Sequence, residues 1–266
     1  MRRARHSRSS GREQAIDELF STAGLEADLP ARGVDCGFSL RPFADGAAGD
    51  GMVEPEPVAE GSATDQLYRR AREAAERNRR VEATQLYRQL LAQEPAHLAG
   101  RNNLALLFEA AGEPEAAIDE LTAALKHHPD QVDVLVNRGA ILGSLKRYPA
   151  AESDLRRATR LAPQHAEAHF NLGLVLWRKG LPEDAAALFR RTIELDPESS
   201  QAWYYLGDAL NQAGAFAESE RALQRATELD PASSRAFQLL GRVLDRLGRP
   251  NEAIEMYRRA REAGSR

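Results

Sequence analysis

Two histidines stand one helical turn apart in the segment His165-Ala166-Glu167-Ala168-His169, which is a spacing that could bind a metal ion. A catalytic zinc helix carries His-Glu-x-x-His, with the glutamate directly after the first histidine. Here the glutamate is displaced, and only two ligands are in view. Since a zinc site needs three or four protein ligands, we expect no metal to bind at these residues.

Other catalytic patterns are missing from the sequence. It contains neither the Gly-x-x-x-x-Gly-Lys loop that binds phosphates nor the Gly-x-Ser-x-Gly turn of serine hydrolases. The single cysteine, Cys36, has no marked base near it, and it cannot form an internal disulfide or a cysteine zinc site. We therefore predict that the chain is not an enzyme and needs no cofactor.

Charge and hydropathy argue against nucleic acid as the partner and against a membrane span. The 266 residues include 36 Lys+Arg and 40 Asp+Glu, a net charge of −4, whereas a nucleic-acid binder usually has a clear basic excess. No apolar run of about 18 residues is present, so we expect no membrane span. The arginine-rich start is not followed by the apolar stretch of a secretory signal, which predicts a cytoplasmic protein.

An internal period of 34 residues organises most of the chain. Five prolines recur at this spacing, namely Pro95, Pro129, Pro163, Pro197 and Pro231. The residues before them are similar, and two of the five stand in the sequence Leu-Asp-Pro. Such self-similarity is typical of repeat architectures. Counting back from the prolines gives the units 64–97, 98–131, 132–165, 166–199, 200–233 and 234–266.

Two glycine columns indicate the helices within each unit. Glycine inside a helix costs about 1 kcal/mol relative to alanine, so we expect a neighbouring helix to pack against the backbone at the first column. That column is Gly139, Gly173, Gly207 and Gly241. The residues of the second column are glycine or asparagine, which commonly adopt the left-handed conformation just after the end of a helix. The column consists of Asn78, Gly112, Gly180, Gly214 and Gly248. The pattern therefore predicts that each unit contains a helix, a tight turn, a second helix and a turn marked by proline.

The fifth unit carries a family resemblance. It reads Trp203-x-x-Leu206-Gly207-x-x-Leu210, then Ser219, Leu223, Ala226 and Pro231, which resembles the tetratricopeptide repeat (TPR) signature. The resemblance covers residues 64–266. It implies an all-α fold, a right-handed superhelical solenoid of six helix-turn-helix repeats, and a family known mainly for binding other proteins. One helix pair cannot bury its apolar face alone, so the units must stack.

Residues 1–63 differ in composition from the repeats. Residues 42–68 contain no lysine or arginine but several acidic residues among glycines and prolines, which predicts a mostly disordered region. A possible short amphipathic helix at residues 12–23 interrupts it, with an apolar face of Ile16, Leu19, Phe20 and Ala23. This segment is either a nascent helix of no consequence or one that docks on a partner or on the repeats.

The resemblance also implies a binding surface, because the first helices of TPR units line the concave face. Three asparagines lie there at 34-residue spacing, namely Asn103, Asn137 and Asn171. A carboxamide both donates and accepts hydrogen bonds, so a row of them would hold an extended peptide backbone. The alternative is that they are ordinary polar residues facing water.

Apolar and aromatic residues share this concave stripe with one carboxylate, where solvent is expected. They are Phe170, Leu174, Trp177, Tyr204, Tyr205 and Asp208. Exposed apolar surface with a polar rim marks a partner site, and tryptophan and tyrosine are favoured anchors. The alternative is that Phe170 and Tyr204 pack between adjacent first helices. Trp177 is the hardest of the set to explain as core.

These features predict an adaptor that binds a protein or peptide partner in the concave groove. Two alternatives stay open. The chain could self-associate weakly through its solenoid ends, since Ile254 on the last helix is expected to remain exposed. It could also be a non-catalytic subunit of an enzyme complex.

Overall fold

The computed structural model describes Leu40 and residues 62–264. The chain divides into two units, Met1–Val34 and Asp35–Arg266, and the first lies outside the described residues. The amphipathic helix predicted at residues 12–23 lies there too. Cys36 and most of the predicted disordered region are likewise outside the described residues.

The described residues form twelve α-helices in six pairs. They are α1 (Ala63–Glu76), α2 (Arg80–Gln93), α3 (Leu98–Ala110), α4 (Pro114–His127), α5 (Val132–Ser144), α6 (Tyr148–Leu161), α7 (Ala166–Arg178), α8 (Pro182–Leu195), α9 (Ser200–Gln212), α10 (Phe216–Leu229), α11 (Ser234–Arg246) and α12 (Pro250–Gly264). The second helices begin 34 residues apart throughout, and so do the first helices from α3 onward. This confirms the predicted all-α repeat fold.

Each helix packs against the helices that precede and follow it in sequence, so the repeats stack one after another. The two helices of a repeat contact each other, and the second helix of each repeat contacts the first helix of the next. First helices of successive repeats also touch, in α5 with α7, α7 with α9 and α9 with α11. The odd-numbered helices therefore form one continuous face of the solenoid, here called the first-helix face.

The glycines inside the first helices permit close packing between the two helices of a repeat. A Cβ atom built at Gly207 would lie 2.5 Å from Cγ of Leu223, and one at Gly173 would lie 2.8 Å from Cε1 of Phe189. Both distances are too short for a real Cβ, so the second helix presses on the glycine backbone. The packing predicted for this column is confirmed.

The turn within each repeat closes through a left-handed residue, as the second column predicts. Asn78 has φ of 57° and Gly112 has φ of 80°. The third repeat departs from the pattern, because Lys146 occupies the position with φ of 61°. A side chain in this conformation costs roughly 1–2 kcal/mol.

Lys146→Gly is expected to raise the free energy of unfolding by about 0.5–1 kcal/mol, since glycine removes the Cβ clash at a modest entropic cost. Lys146 is exposed, so few contacts are lost. Urea denaturation followed by circular dichroism measures the shift. Lys126→Gly, on α4, is the matched control and should lower stability. Equal destabilisation by both variants would contradict the account.

An ion pair replaces apolar packing in the third repeat. Arg138 stands in the column that is leucine in four other repeats, Leu104, Leu172, Leu206 and Leu240. Its Nε and one terminal nitrogen donate to the two carboxylate oxygens of Asp154, at 2.7 and 2.8 Å. The other terminal nitrogen donates to Thr122 at 3.1 Å. The two-pronged geometry fixes α5 against α6.

No helix among the described residues has the length and apolar character needed to cross a membrane.

Candidate peptide-binding groove

The three asparagines predicted to hold a peptide backbone, Asn103, Asn137 and Asn171, point into the packing between repeats. Asn137 and Asn171 are 0% exposed, and Asn103 is 7% exposed. Nδ2 of Asn137 donates to Oδ1 of Asn102 at 2.8 Å. Nδ2 of Asn103 lies 3.3 Å from the Tyr68 hydroxyl and 3.4 Å from the Tyr87 hydroxyl. The expectation that these side chains face water is wrong, because first helices of adjacent repeats meet at this column. Their contact with a peptide stays a prediction.

Three of the predicted groove residues are buried as well. Phe170, Leu174 and Tyr205 are at most 5% exposed. The ring of Phe170 packs against Phe189 and Tyr205, each with centroids 5.8 Å apart. The expectation of a solvated stripe is therefore wrong at these positions. Large side chains there fill the gap between α7, α8 and α9 instead of projecting into a groove.

Trp177, Tyr204 and Asp208 are half-buried on the first-helix face. The indole of Trp177 lies edge-on to Tyr205, with centroids 5.5 Å apart, and Tyr204 lies edge-on to Tyr205 at 5.1 Å. The buried ring of Tyr205 thus packs beneath the rings of both Trp177 and Tyr204. The indole nitrogen of Trp177 is buried, and no described residue accepts a hydrogen bond from it.

Burial also acts on the titratable groups of this region. It raises the pKa of the Asp208 carboxyl, against opposing effects of Gln212 and Arg242. The pKa of the Tyr204 hydroxyl is raised by burial and then by the nearby Asp208 charge. A half-buried carboxylate without a strong ion pair lowers the stability of the folded chain near neutral pH.

Two cavities open on this face at equivalent places of neighbouring repeat pairs. The larger, about 210 Å³, lies between α9, α10 and α11, and Tyr204, Asp230 and Arg235 are among its lining residues. The smaller, about 130 Å³, includes Phe170 and Asp196, which stand 34 residues earlier than Tyr204 and Asp230. A small polar recess therefore lies beside the aromatic residues at two successive repeat junctions.

Helix α11 carries a row of exposed arginines, of which Arg235 lines the larger cavity. Arg235, Arg242 and Arg246 stand seven and then four residues apart, which places them along one side of the helix. The guanidinium of Arg235 lies 5.4 Å from the centre of the Tyr204 ring, and Arg246 donates to Asn211 at 3.1 Å. This end of the face presents positive charge next to aromatic surface.

The two histidines of the candidate metal motif have structural roles. Nδ1 of His165 accepts from the backbone of Ala168 at 3.3 Å and so caps α7, while its Nε2 lies 3.1 Å from Asp133. Nε2 of His169 lies 3.0 Å from the Pro163 carbonyl. Within the described part of the chain, no group of three or more His, Cys, Asp or Glu residues could hold a metal ion.

The two cavities and the row of Arg235, Arg242 and Arg246 were not predicted from the sequence. The cavities include residues of the second helix and of the proline turn, such as Thr192, Asp196 and Asp230. The recurrent Leu-Asp-Pro segment was the available signal for the two aspartates. The spacing of Arg235, Arg242 and Arg246 was visible on the predicted first helix of the last repeat.

The helix order, the left-handed turns and the glycine contacts together define a TPR solenoid, a scaffold typical of protein–protein interaction. The family model of the cilia and flagella-associated protein 70 C-terminal domain matches residues 17–266. The chain belongs to this family of TPR proteins.

Solved structures show the same fold in other proteins. PilF of Pseudomonas aeruginosa is 22% identical, with a TM-score of 0.66, over 73% of this chain and 88% of that chain. PilW, a type IV pilus biogenesis factor, is 18% identical, with a TM-score of 0.67, over 74% and 91%. YrrB, described as a TPR protein with an unusual peptide-binding site, is 21% identical, with a TM-score of 0.57, over 66% and 91%. A comparison with curated proteins finds none that matches the chain.

Proposed function

We propose that this protein is an adaptor that binds a peptide segment of a partner protein on the first-helix face of repeats 4–6. The binding surface comprises Trp177, Tyr204 and Asp208, with Arg235 and Arg242 at its C-terminal end. It retains three of the nine residues that sequence reasoning assigned to the groove. Phe170 and Tyr205 pack beneath this surface, whereas Asn103 and Asn137 lie outside it, in repeats 2 and 3.

The observation that carries the proposal is the buried indole nitrogen of Trp177, for which no described residue accepts a hydrogen bond. A buried donor without an acceptor costs about 1–3 kcal/mol. The Asp208 carboxyl is partly desolvated, and burial raises its pKa although Gln212 and Asn211 hydrogen-bond to it. The buried N–H is inaccessible in this conformation, so a peptide carbonyl would accept from it only after the half-buried ring of Trp177 rotates toward the first-helix face.

The partner segment is expected to be acidic at the end that reaches repeat 6. Arg235 and Arg242 are both exposed there, and charge complementarity favours an acidic segment over a basic one. An apolar side chain of the segment would rest on the exposed edges of Trp177 and Tyr204, since aromatic residues are the usual anchors at interfaces.

Trp177→Ala is expected to weaken partner binding by about 2 kcal/mol, the loss typical of an aromatic anchor. The ring also packs on Tyr205, so Trp177→Phe is the companion variant that keeps much of the packing and removes the N–H. It should lose a smaller part of the affinity. Isothermal titration calorimetry with the captured partner segment measures both. Unchanged affinity in Trp177→Ala would remove this residue from the site.

A pull-down from native-host lysate tests the location of binding. The groove variant is Tyr204→Ala/Arg242→Glu, because Arg242 is exposed and Tyr204 is only half-buried on the first-helix face. The control is Gln224→Ala/Arg221→Glu, which makes the same charge change at exposed positions of α10. The proposal expects the partner to be lost only from the groove variant, at equal helicity. Loss from the control alone, or from neither, would overturn it.

Self-association is the second candidate, favoured by one exposed residue. Ile254 on α12 is 65% exposed, and an exposed large apolar side chain suits contact with another copy. Light scattering over a range of concentrations distinguishes the two cases. A mass that rises with concentration in the wild type, but not in Ile254→Glu, would support self-association. A concentration-independent monomer would exclude it.

A further inference from the structure

Leu40 lies far before the repeats in sequence but packs against them. Its side chain is half-buried on an apolar cluster to which α3, α4 and α5 contribute. The buried members are Ala105, Ala117, Leu121, Ala124, Val134 and Ile141. Residues 41–61 and the whole first repeat separate Leu40 from this cluster, so the contact does not follow from chain adjacency.

The surface around Leu40 leaves several apolar side chains partly exposed. Leu98, Phe108 and Ile118 belong to the rim of the cluster and are only half-buried. Leu40 supplies part of the apolar packing around this cluster from outside the repeats.

One half-buried leucine is not sufficient to hold the contact. Burying part of a leucine contributes less free energy than closing a loop of this length costs. The residues beside Leu40 offer what is missing, because the sequence around it is Gly37-Phe38-Ser39-Leu40-Arg41-Pro42-Phe43. Phe38 and Phe43 are the large apolar side chains available on either side.

We propose that residues 37–43 dock in cis on the apolar surface of α3, α4 and α5. The occupant of this site is the chain's own segment, with Leu40 at its centre. A protein that uses repeats 2 and 3 must displace this segment, so the N-terminal region acts as an internal competitor there. The site is distinct from the proposed groove on repeats 4–6, and neither depends on the other.

The chain provides its own probe, since Cys36 is its single cysteine and lies four residues before Leu40. The full-length protein is labelled at Cys36 with a photoreactive maleimide, irradiated at low concentration, and digested for mass spectrometry. Cross-links are expected within residues 98–147. Leu40→Asp should reduce their yield at least fivefold, whereas Leu29→Asp, the same change elsewhere in the N-terminal region, should leave it unchanged.

Three outcomes would overturn the proposal. Cross-links spread over all six repeats, or an unchanged pattern in Leu40→Asp, would show that the segment has no preferred site. Hybrid cross-links between isotopically light and heavy copies would show that the occupant is a second copy of the chain. Circular dichroism confirms that the variants keep the helicity of the wild type, and Leu40→Met should retain most of the cross-link yield.

Discussion

Phe189→Ala is expected to lower the free energy of unfolding of repeats 4 and 5 by about 3–5 kcal/mol, the range for deleting a buried phenylalanine. Phe189 is fully buried. Its ring stacks on Tyr205 with centroids 5.8 Å apart, and it also contacts Phe170 and the backbone of Gly173. The alanine would leave a cavity that these groups cannot close, because helix backbones hold them in place.

Hydrogen exchange at individual amides is the suitable measurement for this variant. A repeat array need not unfold in one step, so a single unfolding midpoint can hide a local loss. Protection should fall most in α7, α8 and α9. Leu181→Ala is the control at an exposed apolar side chain, and its effect should stay within about 0.5 kcal/mol. A loss below about 1 kcal/mol in Phe189→Ala would contradict the account of this core.

Asp154→Ala is expected to destabilise the third repeat by about 3 kcal/mol, the lower end of the range for breaking a buried ion pair. The side chains of Arg138 and Asp154 are only 21% and 11% exposed, so the guanidinium would be left largely desolvated and without its carboxylate. The hydrogen bond to Thr122 would remain, but a neutral hydroxyl does not balance the charge of Arg138.

The double variant Arg138→Leu/Asp154→Leu should recover most of this loss. A buried ion pair can often be replaced by apolar residues at no net cost, and the fourth repeat already has Leu172 and Leu188 in these two columns. Urea denaturation of the wild type, the single variant and the double variant makes the comparison. A double variant less stable than Asp154→Ala would contradict this reading of the pair.

Much of the fold could be predicted because its constraints are local. Prolines and left-handed glycines act on their own backbone, so their 34-residue spacing indicates the turns directly. The recurrent glycine at Gly207 likewise indicates close helix contact. Lys146 and Arg138 could not be assigned a role in this way, since each departs from its column and depends on the tertiary surroundings for its conformation or its partner.

The candidate site could be predicted only in part. Helical periodicity shows which residues share a face, but the depth of burial depends on how closely successive repeats approach and on the size of the side chains between them. Trp177, Tyr204 and Asp208 reach the surface, whereas Asn137 and Phe170 on the same stripe do not. Leu40 was beyond prediction, because its contact is distant in sequence and no period marks it.

Site-specific photo-cross-linking in native-host cells tests the central claim most directly. A photoreactive amino acid replaces Tyr204 or Arg242 on the first-helix face, and Arg221 or Gln224 on α10 as controls. The account predicts that one partner protein is captured from positions 204 and 242 and not from 221 or 224. Capture of the same partner only from the α10 positions would contradict a binding site on the first-helix face of repeats 4–6.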